Sequence, residues 1–247
     1  GAPTMITSDS PVREFLSHLG TDLGRPWAVL CVSAHWETDR PVVSTAAEPE
    51  TIYDFSGFPD ELYRLTYPAP GAPELAGRTT ELLSMAGIEC DVSESRGLDH
   101  GAWGPLMLMY PEADIPVTQL SIQPNQGPRW HLEIGRRLRP LRDEGVLILA
   151  SGGAVHNLAY FKKSGTEVEN WAELFEDWLV AVVEANEGER LVGYRDETEE
   201  GVLSHPRDEH YLPLLTAYGA GGKGSRGKTL HRGFMDGSLS MAAFAFT

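Results

Sequence analysis

Residues 27–37 read "WAVLCVSAHWE". The first seven of them, 27–33, are apolar with almost no polar alternation, the pattern of a strand whose two faces are both covered. That run predicts a sheet packed between helices. It continues through Ala34 into His35 and the large aromatic Trp36. The strand therefore carries a histidine to the end at which open α/β sheets gather ligands.

A second run of the same kind, "VLILAS" at 146–151, leads through the turn "GGAV" to His156. Strands are expected at 27–33, 41–45, 88–92, 117–122, 146–151 and 238–246. Helices are expected at 11–19, 73–86, 129–144, 169–186 and 208–218. Within 171–183 the apolar residues recur at 171, 174, 175, 178, 179 and 182, one face of a helix. Strands alternating with helices predict an α/β sandwich, a central mostly parallel or mixed sheet with helices on both faces. The 247 residues, 41% hydrophobic, suffice for one sizeable core and one domain spanning 1–247. The glycine-rich "GAGGKGSRGK" at 219–228 reads as a flexible surface loop.

The formal net charge of −16 is spread along the chain, which argues against a nucleic-acid or anionic-membrane partner. No apolar run approaches the roughly 18–20 residues that span a bilayer. The two cysteines, Cys31 and Cys90, lie in apolar contexts that read as core strands. With no disulfide framework and no leader pattern, a cytoplasmic protein is expected.

Eight histidines are present, and their placement carries more than their number. His35 and His156 follow two strand ends, so they are candidates to meet. His100 stands in "RGLDHGAWGPL", a glycine-bounded loop before an apolar helix. His210, in "RDEHYLPLL", opens a helix whose next turn is apolar. His18, His131, His205 and His231 read as surface or hydrogen-bonded structural groups. Neutral imidazoles with an open coordination position suit Fe(II) or Zn(II), and an unligated histidine beside them can shuttle protons. No GxSxG elbow, no GxxxxGK[ST] loop and no GxGxxG after a strand is present. The loop "TIYDFSGFP" supplies Tyr53, Phe55 and Phe58, while Trp36, Trp103 and Tyr211 adjoin candidate site positions. These aromatics either pack the core or wall an aromatic-ring pocket, with Trp36, Tyr53 and Tyr211 the candidate substrate contacts.

The stretches "VSAHWE" (32–37), "TIYDFSGFPDELYRLTYPAPGAPELA" (51–76), "GLDHGAWGPLMLMYPEADIPVTQLSI" (97–122), "LRDEGVLILASGGAVHNL" (141–158), "EHYLPLL" (209–215) and "GSLSM" (237–241) run nearly end to end. Through them the chain resembles the DOPA-dioxygenase-like branch of the class III, LigB-type extradiol ring-cleavage dioxygenases. The resemblance implies a LigB-like single catalytic α/β domain that opens a catechol-type ring with O2 at a non-haem Fe(II), or zinc in some members. It implies that His35 and His210 are metal ligands, that His156 is an acid/base or a further ligand, and that His100 faces substrate. The family also has a ligand in an "HG(S/A)P" motif closing its first strand. Here residues 1–5 read "GAPTM", so a strand and a histidine are expected upstream of Gly1. Two rivals stand beside this reading: a zinc-dependent metalloenzyme on the same histidines, and a non-catalytic binding protein on the same scaffold.

Overall fold

A computed structural model describes residues 3–161 and 167–247; the "GAPTM" opening is described from Pro3, and the strand and histidine expected upstream of Gly1 fall outside the described residues. Five strands, β1 (Ala28–Glu37), β2 (Val42–Ser44), β3 (Asp91–Ser93), β4 (Val117–Ile122) and β5 (Val146–Ser151), form one sheet in the order β3-β2-β4-β1-β5. β1 runs parallel to β4 and β5, and β2 is parallel to β3 but antiparallel to β4, so the sheet is mixed. The helices are α1 (Pro11–Leu23), α2 (Pro73–Met85), α3 (His100–Met109), α4 (Gly127–Leu138), α5 (Pro140–Asp143), α6 (Asn170–Glu184), α7 (Gly188–Val192), α8 (Tyr194–Glu197), α9 (Glu199–Ser204) and α10 (Leu212–Gly221). Short antiparallel pairs complete the fold, β6 (Gly227–His231) with β9 (Ala243–Phe246) and β7 (Phe234–Met235) with β8 (Leu239–Ser240).

The alternation of β1 shows why its sequence is apolar throughout. Ala28, Leu30 and Val32 pack toward α2, α4 and α10, whereas Val29 and Cys31 pack toward α1 and α3. Both faces are covered, as the opening run predicts. A further cluster, with Phe175, Leu179, Tyr194 and Tyr211 at its centre, joins α6 and its short followers to α10. Among the described residues no helix is long and apolar enough to cross a membrane.

The structure departs from the sequence expectations in several places. β1 does not stop at Ser33 but continues through His35 to Glu37, with an irregular register after Val32. The expected strand at 88–92 is only the edge pair at 91–93, so Cys90 sits half-buried outside it. The helix expected at 129–144 is divided before Pro140, whose ring removes a backbone donor. The helix expected at 208–218 begins at Leu212, and His210 lies in the turn before it. The strand expected at 238–246 is split between β8 and β9.

The 219–228 stretch is not a loose loop. Gly219 ends the face of α10 that crosses α4, and a Cβ there would come within 2.2 Å of the Leu132 carbonyl oxygen. Ser225 is buried, and β6 starts at Gly227. Gly219 and Gly227 serve close packing while Gly222 and Gly224 take the positive-φ turn between α10 and β6, uses that composition alone does not separate.

β5 was expected to be covered on both faces from its unbroken apolar run. It is instead an edge strand, half-buried along most of its length. Its free side borders a groove of about 500 Å³ whose walls include Met5, Phe15, Leu19, Leu214 and Phe244, with His210 at one end.

Candidate metal centre

The carboxyl end of the sheet brings together four imidazoles from four segments. β5 ends at Ser151 opposite Ser33, so His35 projects past the pairing on the last third of β1. His100 is the first residue of α3, whose N-cap is Asp99. His156 follows β5 through the glycine turn, held by its N–H donating to the Ser204 carbonyl at 3.0 Å. The Gly153 N–H donates to the His210 carbonyl at 2.9 Å, and a Cβ on Gly152 would stand 2.2 Å from that same oxygen. The glycine turn thus lets the β5 end approach the His210 backbone directly.

The rings form a row. His100 and His35 have centroids 4.1 Å apart, His35 and His210 5.1 Å, and His210 and His156 3.4 Å, the last pair stacked and nearly parallel at 7°. Carboxylates flank the row. Asp54 takes His100 Nδ1 on Oδ1 at 2.8 Å and sets Oδ2 3.1 Å from His35 Nδ1, and Glu209 takes His210 Nδ1 at 3.1 Å. A carboxylate only accepts, so each of these Nδ1 atoms carries the proton and Nε2 is left with its lone pair. Two donor groups emerge, His35–Asp54–His100 and His156–Glu209–His210, each with its donor atoms within 4.8 Å of one another.

The electrostatics favour neutral rings at His100, His156 and His210. Burial pushes His100 below its ordinary value, against the pull of Asp54. Burial, aided by His210, pushes His156 down to about 2. Burial and the neighbouring His35 hold His210 well below its ordinary value. Burial would raise the Asp54 carboxyl, but its bonds from His100 and His35 outweigh that and hold it far below the usual carboxylate range. Neutral imidazoles are what a metal requires of its ligands. Their lone pairs, gathered in one row beside two carboxylates, fit a borderline divalent ion such as Fe(II) or Zn(II).

A buried network fixes the end of β1. Asp99, fully enclosed, accepts from Ser33 Oγ at 2.7 Å, Gln119 Nε2 at 2.8 Å and Arg96 at 2.9 Å. Arg96 also lies over the Trp36 ring, 5.0 Å from its centroid. Asp208 anchors the other side, accepting from the Tyr194 hydroxyl at 2.6 Å and Arg195 Nε at 2.8 Å, two residues before His210.

The aromatic candidates separate. Tyr211 is enclosed in the core, its hydroxyl on the Leu191 carbonyl at 2.9 Å and its ring 4.1 Å from Tyr194, so it anchors the loop rather than lining a pocket. Trp36 is buried beneath Arg96. Tyr53 donates to the Leu65 carbonyl at 2.7 Å and packs against Phe55 and Trp103. The aromatic that touches the row is Phe55, edge-on to His100 at 5.5 Å. Asp54 escaped the sequence reading altogether. Its signal was the lone acid inside the aromatic loop "TIYDFSGFP".

The sequence profile of the catalytic LigB subunit of aromatic ring-opening dioxygenases matches residues 8–246. The chain belongs to the LigB family. It is 43% identical to a 4,5-DOPA dioxygenase extradiol of Beta vulgaris, over 100% of this chain and 94% of that one. It is 45% identical to a protein of the same name from Escherichia coli K12, over 89% and 82% of the two chains. The crystal structure of an uncharacterized protein from Escherichia coli K12 superposes with a TM-score of 0.80 at 40% identity, covering 96% of this chain and 92% of that one. This LigB protein is an extradiol ring-opening dioxygenase, and its chemistry is metal-dependent.

Proposed function

We propose that this LigB protein opens the ring of a catechol-type substrate, DOPA or a close relative, using O2 and a mononuclear Fe(II), with Zn(II) able to occupy the same place. The observation that carries the reading is the row of four imidazoles, three of which offer Nε2 opposite an Nδ1 that faces a carboxylate. The metal, when bound, would relay electron density between a chelated diol and O2.

His35 and His210 would hold the metal through Nε2. The stacking of His156 on His210 supports an acid/base role for His156. Lone pairs lie in ring planes, and two parallel rings 3.4 Å apart cannot both aim at one ion about 2.1 Å from each nitrogen. His156, kept neutral by burial, would take a catechol proton and later return one. His100, anchored to Asp54, would present Nε2 to the substrate, and Phe55 beside it would wall one side of the ring. The net charge of −16 supports a small-molecule substrate over nucleic acid or an anionic membrane. The two unpaired cysteines support a reducing cytoplasm.

The groove beside β5 supports one more element. A free apolar strand edge exposes unpaired backbone groups, and Met5, near the start of the described chain, lines that groove. An extended segment preceding Gly1 would pair with β5 and deliver a further imidazole next to His210. A polypeptide carrying that segment should bind Zn(II) far more tightly than residues 1–247 alone; equal affinities would remove the strand from the account.

Anaerobic loading with Fe(II) or Zn(II), followed by a catechol panel including L-DOPA in an oxygen electrode, tests the function. Only the Fe(II) protein should consume O2 and yield a yellow product. Equal O2 uptake with zinc, or none with iron, would overturn the reading.

A further inference from the structure

Among the described residues, Asp54 is the one carboxylate within ion-pair distance of two of the four imidazoles. Its Oδ1 accepts from both the backbone N–H of His100, at 3.0 Å, and His100 Nδ1, at 2.8 Å, while its Oδ2 stands 3.1 Å from His35 Nδ1. The loop bearing it is tied to α3 by the indole of Trp103, which donates to the Ile52 carbonyl at 2.9 Å. We propose that Asp54 is a shared positioning residue, which sets the tautomers of His35 and His100 together and so couples metal affinity to the substrate-facing ring. This inference rests on the metal-site reading above and adds to it the residue that orients the site.

The argument is one of donors and acceptors. The bond to Oδ1 holds Nδ1–H on His100, and a carboxylate oxygen 3.1 Å from His35 Nδ1 favours Nδ1–H there too, which leaves both Nε2 lone pairs facing away from Asp54. A carboxylate behind a ligand imidazole fixes its rotation and strengthens it as a ligand. Replacing Asp54 by asparagine keeps the shape but leaves one oxygen and one NH2. The oxygen stays on the His100 side, where two donors converge, and the NH2 turns toward His35 Nδ1. His35 must then carry its proton on Nε2, the nitrogen needed by the metal.

The test uses residues 1–247 labelled with 15N-histidine, together with Zn(II) titrations, and needs no turnover. In the wild-type protein, long-range 1H–15N spectra should show both His35 and His100 protonated at Nδ1. Asp54→Asn should move His35 to the Nε2-protonated tautomer and weaken Zn(II) about 10–100-fold. In a His100→Phe background the competing side-chain donor is gone, so the Asn oxygen can turn to His35, and the same substitution should cost at most about threefold. This non-additivity separates the proposed role from general loosening of the loop, which would weaken zinc equally in both backgrounds. Unchanged tautomers in Asp54→Asn, or equal losses in the two backgrounds, would overturn the proposal. Because only zinc and ring protons are read, that failure would leave the Fe(II)–catechol reading standing, and inactivity of the Fe(II) protein would leave this one standing.

Discussion

His131 and His205 are enclosed as fully as any side chain in the protein, and both rings turn to the backbone. His131 donates from Nδ1 to the Gly127 carbonyl at 2.7 Å and accepts the Gln123 N–H on Nε2 at 3.1 Å. His205 donates from Nε2 to the Ala154 carbonyl at 2.9 Å, among Phe175, Tyr194 and Tyr211. The row at the end of the sheet differs in its partners: His35, His100 and His210 rest on carboxylates, and His156 rests on a ring. Burial alone therefore does not mark a functional histidine here. Backbone groups consume both nitrogens of His131 and the Nε2 of His205, whose buried Nδ1 has no partner among the described residues, and make each ring a strut. A carboxylate holds one nitrogen and leaves the other for chemistry.

The largest expected contrast is in turnover. His156→Ala should lower catechol turnover on the Fe(II) protein by about 10²–10⁴-fold with little change in thermal unfolding. Near-wild-type turnover would erase the distinction. His131→Ala should do the opposite. It strands the Gln123 N–H and the Gly127 carbonyl, at a cost of about 1–3 kcal/mol, read as a melting point lower by roughly 2–12 °C, while turnover per folded molecule holds.

The pH response sharpens the same comparison. Burial holds His131 and His205 down to about 4, from an ordinary 6.5. Unfolded, the same rings bind protons near pH 6.5, so the unfolded state takes up more protons as pH falls from about 6.5 to 4. Metal-free protein should lose stability steadily across that window, measured by urea melts. His131→Ala should flatten the loss, and an unaltered slope would contradict the strut assignment. The smallest effect belongs to His18. It is exposed on α1 with Nδ1 on the Glu14 carbonyl at 2.9 Å, and His18→Ala should move stability by no more than about 0.5 kcal/mol.

Much of this was legible in the residues. The unbroken apolar run of β1 reported helices on both faces, and 117–122 and 146–151 were located to the residue. The same rule misled at β5, whose run is as apolar as that of β1 but stays half-buried along most of its length beside the groove. The glycines at 219–228 looked flexible because close helix packing and freedom use the same residue. Among the site groups, His35, His100, His156 and His210 could be named because strand ends and the family resemblance both pointed to them. Asp54 could not, since a single acid in a loop has no period and no motif of its own. Its role exists only once the loop is folded over α3. Tyr211 misled for the converse reason: adjacency to His210 in sequence says nothing about which way the next ring turns, and it turns into the core.

The most direct test of the account is Zn(II) or Co(II) affinity, measured by equilibrium titration, for the wild-type protein and for single alanine replacements of His35, His210, His131 and His205. The account predicts losses of about 100-fold or more for His35→Ala and His210→Ala, beyond what loss of an orienting partner costs, and affinities close to wild type for His131→Ala and His205→Ala in the folded fraction. Undiminished binding in the first pair, or equal losses in all four, would contradict it.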